Sequence, residues 1–267
     1  MRRRAALAAP LLLLARPAGA LDLPAARLTQ GGFVVARVPV GSRAALDGRA
    51  LRVSPAGDVA FGFGRDAAAQ AVLVVTNPRG QAETTRLAIA RRTWDVQSIQ
   101  GLPPAQVTPN AADLARIAAE REQLGAARAA DTGDTGFTAG MAWPAQGRIS
   151  GVYGSQRILN GQPRQPHFGL DVAAPIGTPV LAAMPGRVSL AGEFIFFGRL
   201  LVLDHGHGIN TLYAHLSAQD VALGDVVAKG QRIGAIGMTG RVTGPHLHFS
   251  LSWFQLFLDP RPPLPPA

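Results

Sequence analysis

Thr243-Gly244-Pro245-His246-Leu247-His248-Phe249 is the stretch on which the fold turns. Imidazoles at 246 and 248 alternate with apolar side chains at 247 and 249, the period of a strand with one buried face. Residues i and i+2 of a strand lie on one face about 7 Å apart, so the two imidazoles share a face. Two imidazoles that close can bind one metal, or one can bind while its neighbour hydrogen-bonds the water that the metal holds. Two exposed strand histidines are the plainer outcome.

Working outward, Leu212-Tyr213-Ala214-His215-Leu216 ends a second strand with a histidine, and alternation places Tyr213 and His215 on one face. Further upstream, His167-Phe168-Gly169-Leu170-Asp171 sets an imidazole and a carboxylate four residues apart. Pro166 and Gly169 argue against a helix, so His167 reads as the last loop residue and Asp171 as part of the strand that follows. Together the three stretches supply two His and one Asp for a metal, with two further His nearby. Catalytic zinc needs three N/O ligands and one open position.

The same half of the chain is punctuated by Gly and Pro almost throughout. Strands are expected over 148–153, 169–172, 179–182, 186–191, 200–204, 208–215, 232–236 and 246–253. The first half reads as a small N-terminal β-sandwich of immunoglobulin-like type over 21–100, with strands at 32–40, 50–53, 59–63, 71–76 and 84–90. Between the halves, over 101–140, lie a Pro-rich linker and one amphipathic α-helix, 111–130, capped by Thr108-Pro109. Leu114, Ile117 and Leu124 form its apolar face, with Arg116, Glu120, Arg121 and Glu122 elsewhere. The tail 261–267, Pro-rich, is expected as an extended, exposed end. The fold class is therefore mainly β with one linking α-helix.

Composition narrows the chemistry. Among 267 residues there is no Cys, so a disulfide scaffold, an iron–sulfur site and a cysteine nucleophile are excluded and any metal must sit on His and carboxylate. All six His lie at or beyond position 167. Basic residues outnumber acidic ones 26 to 17, and only Lys229 among them is lysine. That bias follows a general enrichment in Arg, Ala, Gly and Pro, so no nucleic-acid partner is expected. Residues 1–20 resemble a secretory signal peptide: Arg2, Arg3 and Arg4, then an apolar run, then Ala18-Gly19-Ala20. A run of about a dozen residues is too short to span roughly 30 Å of hydrocarbon, so no stable membrane span is expected after its removal.

The motif set His167-x-x-x-Asp171, Tyr213-x-His215-Leu216, Gly237-x-Thr239-Gly240 and Gly244-Pro245-His246-Leu247-His248-Phe249 resembles that of the lysostaphin/LytM-type zinc metallopeptidases. The resemblance covers about Trp143 to Pro260. It implies a LytM-like C-terminal domain over 141–260, an antiparallel β-sheet groove of duplicated-hybrid-motif type. It also implies zinc on His167, Asp171 and His248, with His215 and His246 as the catalytic pair. Such enzymes are envelope endopeptidases, so peptidoglycan stem peptides are the implied partner and a periplasmic or secreted location the implied address. No Tyr precedes His167, where the loop reads Gln162-Pro163-Arg164-Gln165-Pro166. That favours D-alanyl–diaminopimelate cross-links over glycine bridges.

The rival reading is a non-catalytic LytM-domain activator of a cell-wall amidase. Such activators have lost zinc ligands, whereas this chain keeps all three and both catalytic His. Smaller expectations concern the surroundings. His205 and His207 read as structural or as partners of the ligands, Arg157 and Asn160 as groove-bordering residues that bind the acidic stem peptide, and Lys229 as a solvated hairpin residue. Domain order alone suggests that the N-terminal module or the helix covers the groove. No wall-binding repeat is recognisable, so targeting would come from the groove, the β-module or a regulatory protein partner.

Overall fold

The computed structural model describes residues 23, 24, 27–100 and 111–266. The expected leader over 1–20 and the linker segment with the Thr108-Pro109 cap lie outside the described residues. The first module contains β1 (Phe33–Arg37), β2 (Arg43–Leu46), β3 (Arg49–Leu51), β4 (Asp58–Gly62), β5 (Gln70–Thr76) and β6 (Ala82–Ala88). β1 and β4 pair as an antiparallel ribbon, and β3-β2-β5-β6 form a four-stranded sheet. β2 escaped the sequence reading because Arg43-Ala44-Ala45-Leu46 holds weak strand formers. It is specified by its partners and by Asp47-Gly48, a two-residue turn with φ of 47° and 80°, which only residues tolerant of positive φ sustain.

β7 (Val96–Ile99) leaves the module and runs parallel to β9 (Gln156–Leu159), which β10 (Gln162–Pro163) completes as a hairpin. α1 (Ala111–Ala129) follows β7, and β8 (Arg148–Gly151) precedes β9. The remaining strands are β11 (Leu170–Ala173), β12 (Pro179–Leu181), β13 (Gly186–Phe194), β14 (Gly198–Asp204), β15 (Ile209–Gln219), β16 (Val226–Val227), β17 (Arg232–Ile236), β18 (His246–Trp253) and β19 (Leu256–Leu258). They build a ten-stranded antiparallel sheet along the path β16-β13-β14-β15-β18-β11-β8, with β17 on β12 and β15, and β19 on β18.

The two faces of this sheet do different things. One face carries Leu170, Val172, Tyr213, Leu247, Phe249 and Leu251 into a core that runs without interruption to Val34 and Phe61 of the first module. Arg65 Nε donates to the Gly154 carbonyl at 2.7 Å, and Arg92 pairs with Asp259 at 2.6 Å, tying the halves together. The other face holds a smaller cluster of Phe194, Leu200, Val202, Leu212 and Ala214, closed by Leu124 of α1.

The packed stripe of α1 is Ile117, Glu120, Leu124 and Arg128, which is helical spacing but not the stripe expected. Leu114 is 54% exposed, and Glu120 is buried. The reason is polar: both Glu120 carboxylate oxygens accept the Ile195 backbone N–H at 3.0 Å, satisfying a donor in the β13–β14 hairpin. The tail also departs from expectation. Leu264 is buried in the main core, and Trp143 Nε1 donates to the Pro265 carbonyl at 3.2 Å, so apolar burial overrides the extended end that prolines favour.

Candidate metal centre

Asp171 on β11 lies directly opposite His248 on β18, and Ala173 opposite His246. Directly opposed residues of an antiparallel pair share a face, so both histidines of β18 and the carboxylate look the same way. His167, in the loop before β11, completes the group. Its Nε2 lies 3.0 Å from Asp171 Oδ1 and 3.1 Å from His248 Nδ1, and His248 Nδ1 is 2.8 Å from Asp171 Oδ1. Three ligand atoms thus converge, and all three side chains are largely buried.

The donor set fits zinc. His167 Nδ1 donates to the Val152 carbonyl at 3.0 Å, which leaves the Nε2 lone pair aimed at the triangle. Four-coordinate zinc with ligands at about 2.0–2.1 Å spaces them by about 3.3 Å, close to the separations above. Gly169 keeps the cradle open: a Cβ there would meet His248 Cε1 at 2.5 Å. Burial alone would raise the Asp171 carboxyl, but hydrogen bonds and charge from His167 and His248 hold it well below the usual carboxylate range. An ionised carboxylate of this kind is able to serve as the anionic member of a metal-ligand set.

His215 reaches the site by breaking alternation. Its neighbour Tyr213 faces the core, its ring tilted against that of Phe249 at 5.2 Å and its Oη accepting the Ala183 N–H at 2.8 Å. Strict period two would send His215 to that same face. Instead β14 and β15 slip register between Arg199 and Leu201, and His215 takes φ of 65° with its N–H on the Phe197 carbonyl at 2.8 Å. The expectation that Tyr213 and His215 share a face is therefore corrected. The bulge turns the imidazole to the His248 side, with ring centroids 6.1 Å from His248 and 4.8 Å from His246.

Each of the pair is held by a backbone carbonyl. His215 Nδ1 donates to the Thr239 carbonyl at 2.9 Å and His246 Nδ1 to the Gly244 carbonyl at 2.9 Å, an engagement that reserves Nε2 of each ring for other partners. His246 Nε2 faces Asp171 Oδ1 at 3.9 Å. Burial, then the nearby His248, pushes His215 down to about 3, so it stays neutral at physiological pH. None of these carbonyls has a signature in the sequence, because every residue type carries one.

The other singled-out residues fall into place around this group. His205 is fully buried and doubly engaged, with Nδ1 on the Pro185 carbonyl at 2.8 Å and Nε2 on Thr211 Oγ1 at 2.7 Å. His207 is buried against Phe137, 4.8 Å between centroids. Lys229 donates to the Ala139 carbonyl at 2.6 Å. Arg157 extends to within 3.6 Å of Asp171 Oδ2, whereas Asn160 sits exposed at the tip of the β9–β10 hairpin. α1 packs on β13 and β14.

Two histidines and one aspartate that could hold a metal ion, beside a second histidine pair on the same sheet, make the donor arrangement that a mononuclear metallohydrolase uses. Residues 165–260 match the model of peptidase family M23, and the chain carries a domain of that family. It is 37% identical over 128 residues to the cell division protein DipM of Caulobacter vibrioides, covering 48% of this chain and 20% of that protein. It is 45% identical over 105 residues to the peptidoglycan DD-endopeptidase ShyA of Vibrio cholerae, covering 39% of this chain and 24% of that one. The chain thus spans about a quarter or less of the length of these curated relatives. A solved structure of a candidate peptidase M23 from Pseudomonas aeruginosa is similar over 87% of this chain and 92% of its own, with a TM-score of 0.66 and 29% identity.

Proposed function

We propose that the protein is a zinc-dependent endopeptidase that hydrolyses peptide cross-links of peptidoglycan at the D-alanyl–diaminopimelate bond. One observation carries the reading: three ligand atoms 2.8–3.1 Å apart stand beside two imidazoles whose Nδ1–H groups are pinned to carbonyls. His167, Asp171 and His248 hold the ion. Zinc at that position supplies the Lewis acidity that polarises an amide carbonyl and acidifies water. His215 and His246 supply the proton traffic. A neutral Nε2 takes the proton of the attacking water, and the protonated ring then donates to the oxyanion on the substrate carbon and to the leaving amine.

The relative named as a peptidoglycan DD-endopeptidase supports the substrate class, and the activator alternative fits poorly with a complete ligand and catalytic set. A wall substrate requires action outside the cytoplasmic membrane, in the periplasm or beyond, which suits the leader-like residues 1–20. No helix among the described residues is long and apolar enough to cross a membrane. Purified cross-linked muropeptides incubated with the protein should give monomers of the expected mass, and a zinc chelator should stop the reaction. Absence of chelator-sensitive cleavage removes the proposal.

A further inference from the structure

The surroundings of the ligand group are crowded with positive charge. Arg157 and Arg164 stand across from each other on the β9–β10 hairpin: the register runs Gln162 to Leu159 and Pro163 to Ile158, and Arg164 N–H donates to the Arg157 carbonyl at 2.8 Å. Like charges at opposed positions destabilise a two-stranded ribbon. A third guanidinium joins them. Arg241, in the loop between β17 and β18 that delivers His246, lies over the Phe196 ring at 4.1 Å, and its N–H donates to the Phe196 carbonyl at 3.1 Å. The next residue, Phe197, has its ring 6.0 Å from that of His248. Burial, then the charges of Arg157 and Arg164, lower the proton affinity of Arg241.

Arg164 Nη2 donates to Gln162 Oε1 at 2.7 Å, a neutral partner, and the charges of Arg157 and Arg164 still act on Arg241. Arg157 reaches Asp171 only at 3.6 Å, and Asp171 gives its Oδ1 to the ligand triangle. Arg157 Nε is buried with no hydrogen-bond partner among the described residues. An anion resolves all of these costs, and a carboxylate suits the planar guanidinium fork.

We propose that Arg157, Arg164 and Arg241 form a carboxylate-binding subsite beside the metal ligands, which reads a free α-carboxylate on the amine side of the scissile bond. The assignment of side rests on the endopeptidase reading. In a D-alanyl–diaminopimelate cross-link the alanyl carboxyl is consumed in the scissile amide, while the carbon bearing the leaving nitrogen carries a free carboxylate. A glycine bridge has an amide at that position. The subsite therefore selects the diaminopimelate class and rejects glycine bridges.

The test measures binding apart from turnover. Zinc-loaded full-length protein carrying His215→Ala is titrated calorimetrically with a cross-linked muropeptide dimer, and with the same dimer amidated at that one carboxylate. The amide should bind roughly 10-fold more weakly or worse. Arg164→Gln and Arg241→Gln, neither of which removes a metal ligand, should each weaken binding of the free acid by roughly 10-fold and leave binding of the amide unchanged. Equal affinity for acid and amide overturns the subsite, and so does an equal loss on both ligands in the variants. If either variant fails to fold, the acid and amide pair on the parent protein decides alone. Carboxylate-dependent binding without hydrolysis by the unsubstituted protein would sink the endopeptidase reading and uphold the subsite.

Discussion

Two groups of largely buried histidine, attached to the same ten-stranded sheet, show how burial and chemistry separate. In the turn after β14, both ring nitrogens of His205 are spent on fixed partners, a carbonyl and a threonine hydroxyl. In the candidate metal centre, His215 and His246 each spend only Nδ1 on a hydrogen bond, to a carbonyl. Both environments depress the affinity for a proton, His205 to about 4 and His215 to about 3, with burial the leading cause in each. Depressed basicity is therefore no mark of function here. What distinguishes His215 and His246 from His205 is one ring nitrogen that no protein hydrogen bond engages.

That contrast can be broken by substitution. His167→Ala or His248→Ala should leave the protein without stably bound zinc and abolish muropeptide cleavage, read by metal analysis of the purified protein. His205→Ala should keep a full zinc complement. His215→Ala should also keep zinc while kcat falls by about 10²–10⁴-fold, the usual span for loss of general acid–base catalysis. Full activity in that variant would end the assignment of His215 to the catalytic pair.

Acid should sharpen it next. A histidine whose folded value lies near 4 against an unfolded value near 6.5 binds fewer protons when folded. Its contribution is complete above the unfolded value and is lost as pH falls from about 6.5 toward 4. Denaturant unfolding at pH 7 and pH 4.5 should show His205 removing up to about 3 kcal/mol over that window, and His205→Gln should flatten the slope. Gly169→Ala would crowd both His248 and the Phe249 carbonyl, at 2.5 and 2.8 Å from the new Cβ, and should weaken zinc about 10- to 100-fold in a chelator competition. Smallest of all, Glu120→Gln should cost about 1 kcal/mol of stability by loosening the bracket on Ile195, with zinc content unchanged.

Much of this was legible beforehand. The alternation at 246–249 placed His246 and His248 on one face, and the break at Pro166 and Gly169 put His167 in a loop with Asp171 on the following strand, as the register of β11 and β18 bears out. The β9–β10 hairpin reads in the sequence as a loop over 157–166, because its prolines hide the turn signal of Asn160-Gly161, whose φ values are 47° and 80°. β2 and the packed stripe of α1 were not legible either, since alanine-rich and charged residues acquire their places only from partners.

Residue types and local period thus determined the donor chemistry: no Cys, histidines confined to the second half, and a strand that carries His246 and His248 on one face. The tertiary structure alone decided which nitrogen of each ring is open, because that depends on the carbonyls of Val152, Thr239 and Gly244, which the sequence does not distinguish. It also decided the side on which His215 emerges. Period two sends that imidazole into the core with Tyr213, and only the register slip against β14 with a positive φ turns it to the metal face. A bulge is a property of two paired strands, so neither strand read alone contains it.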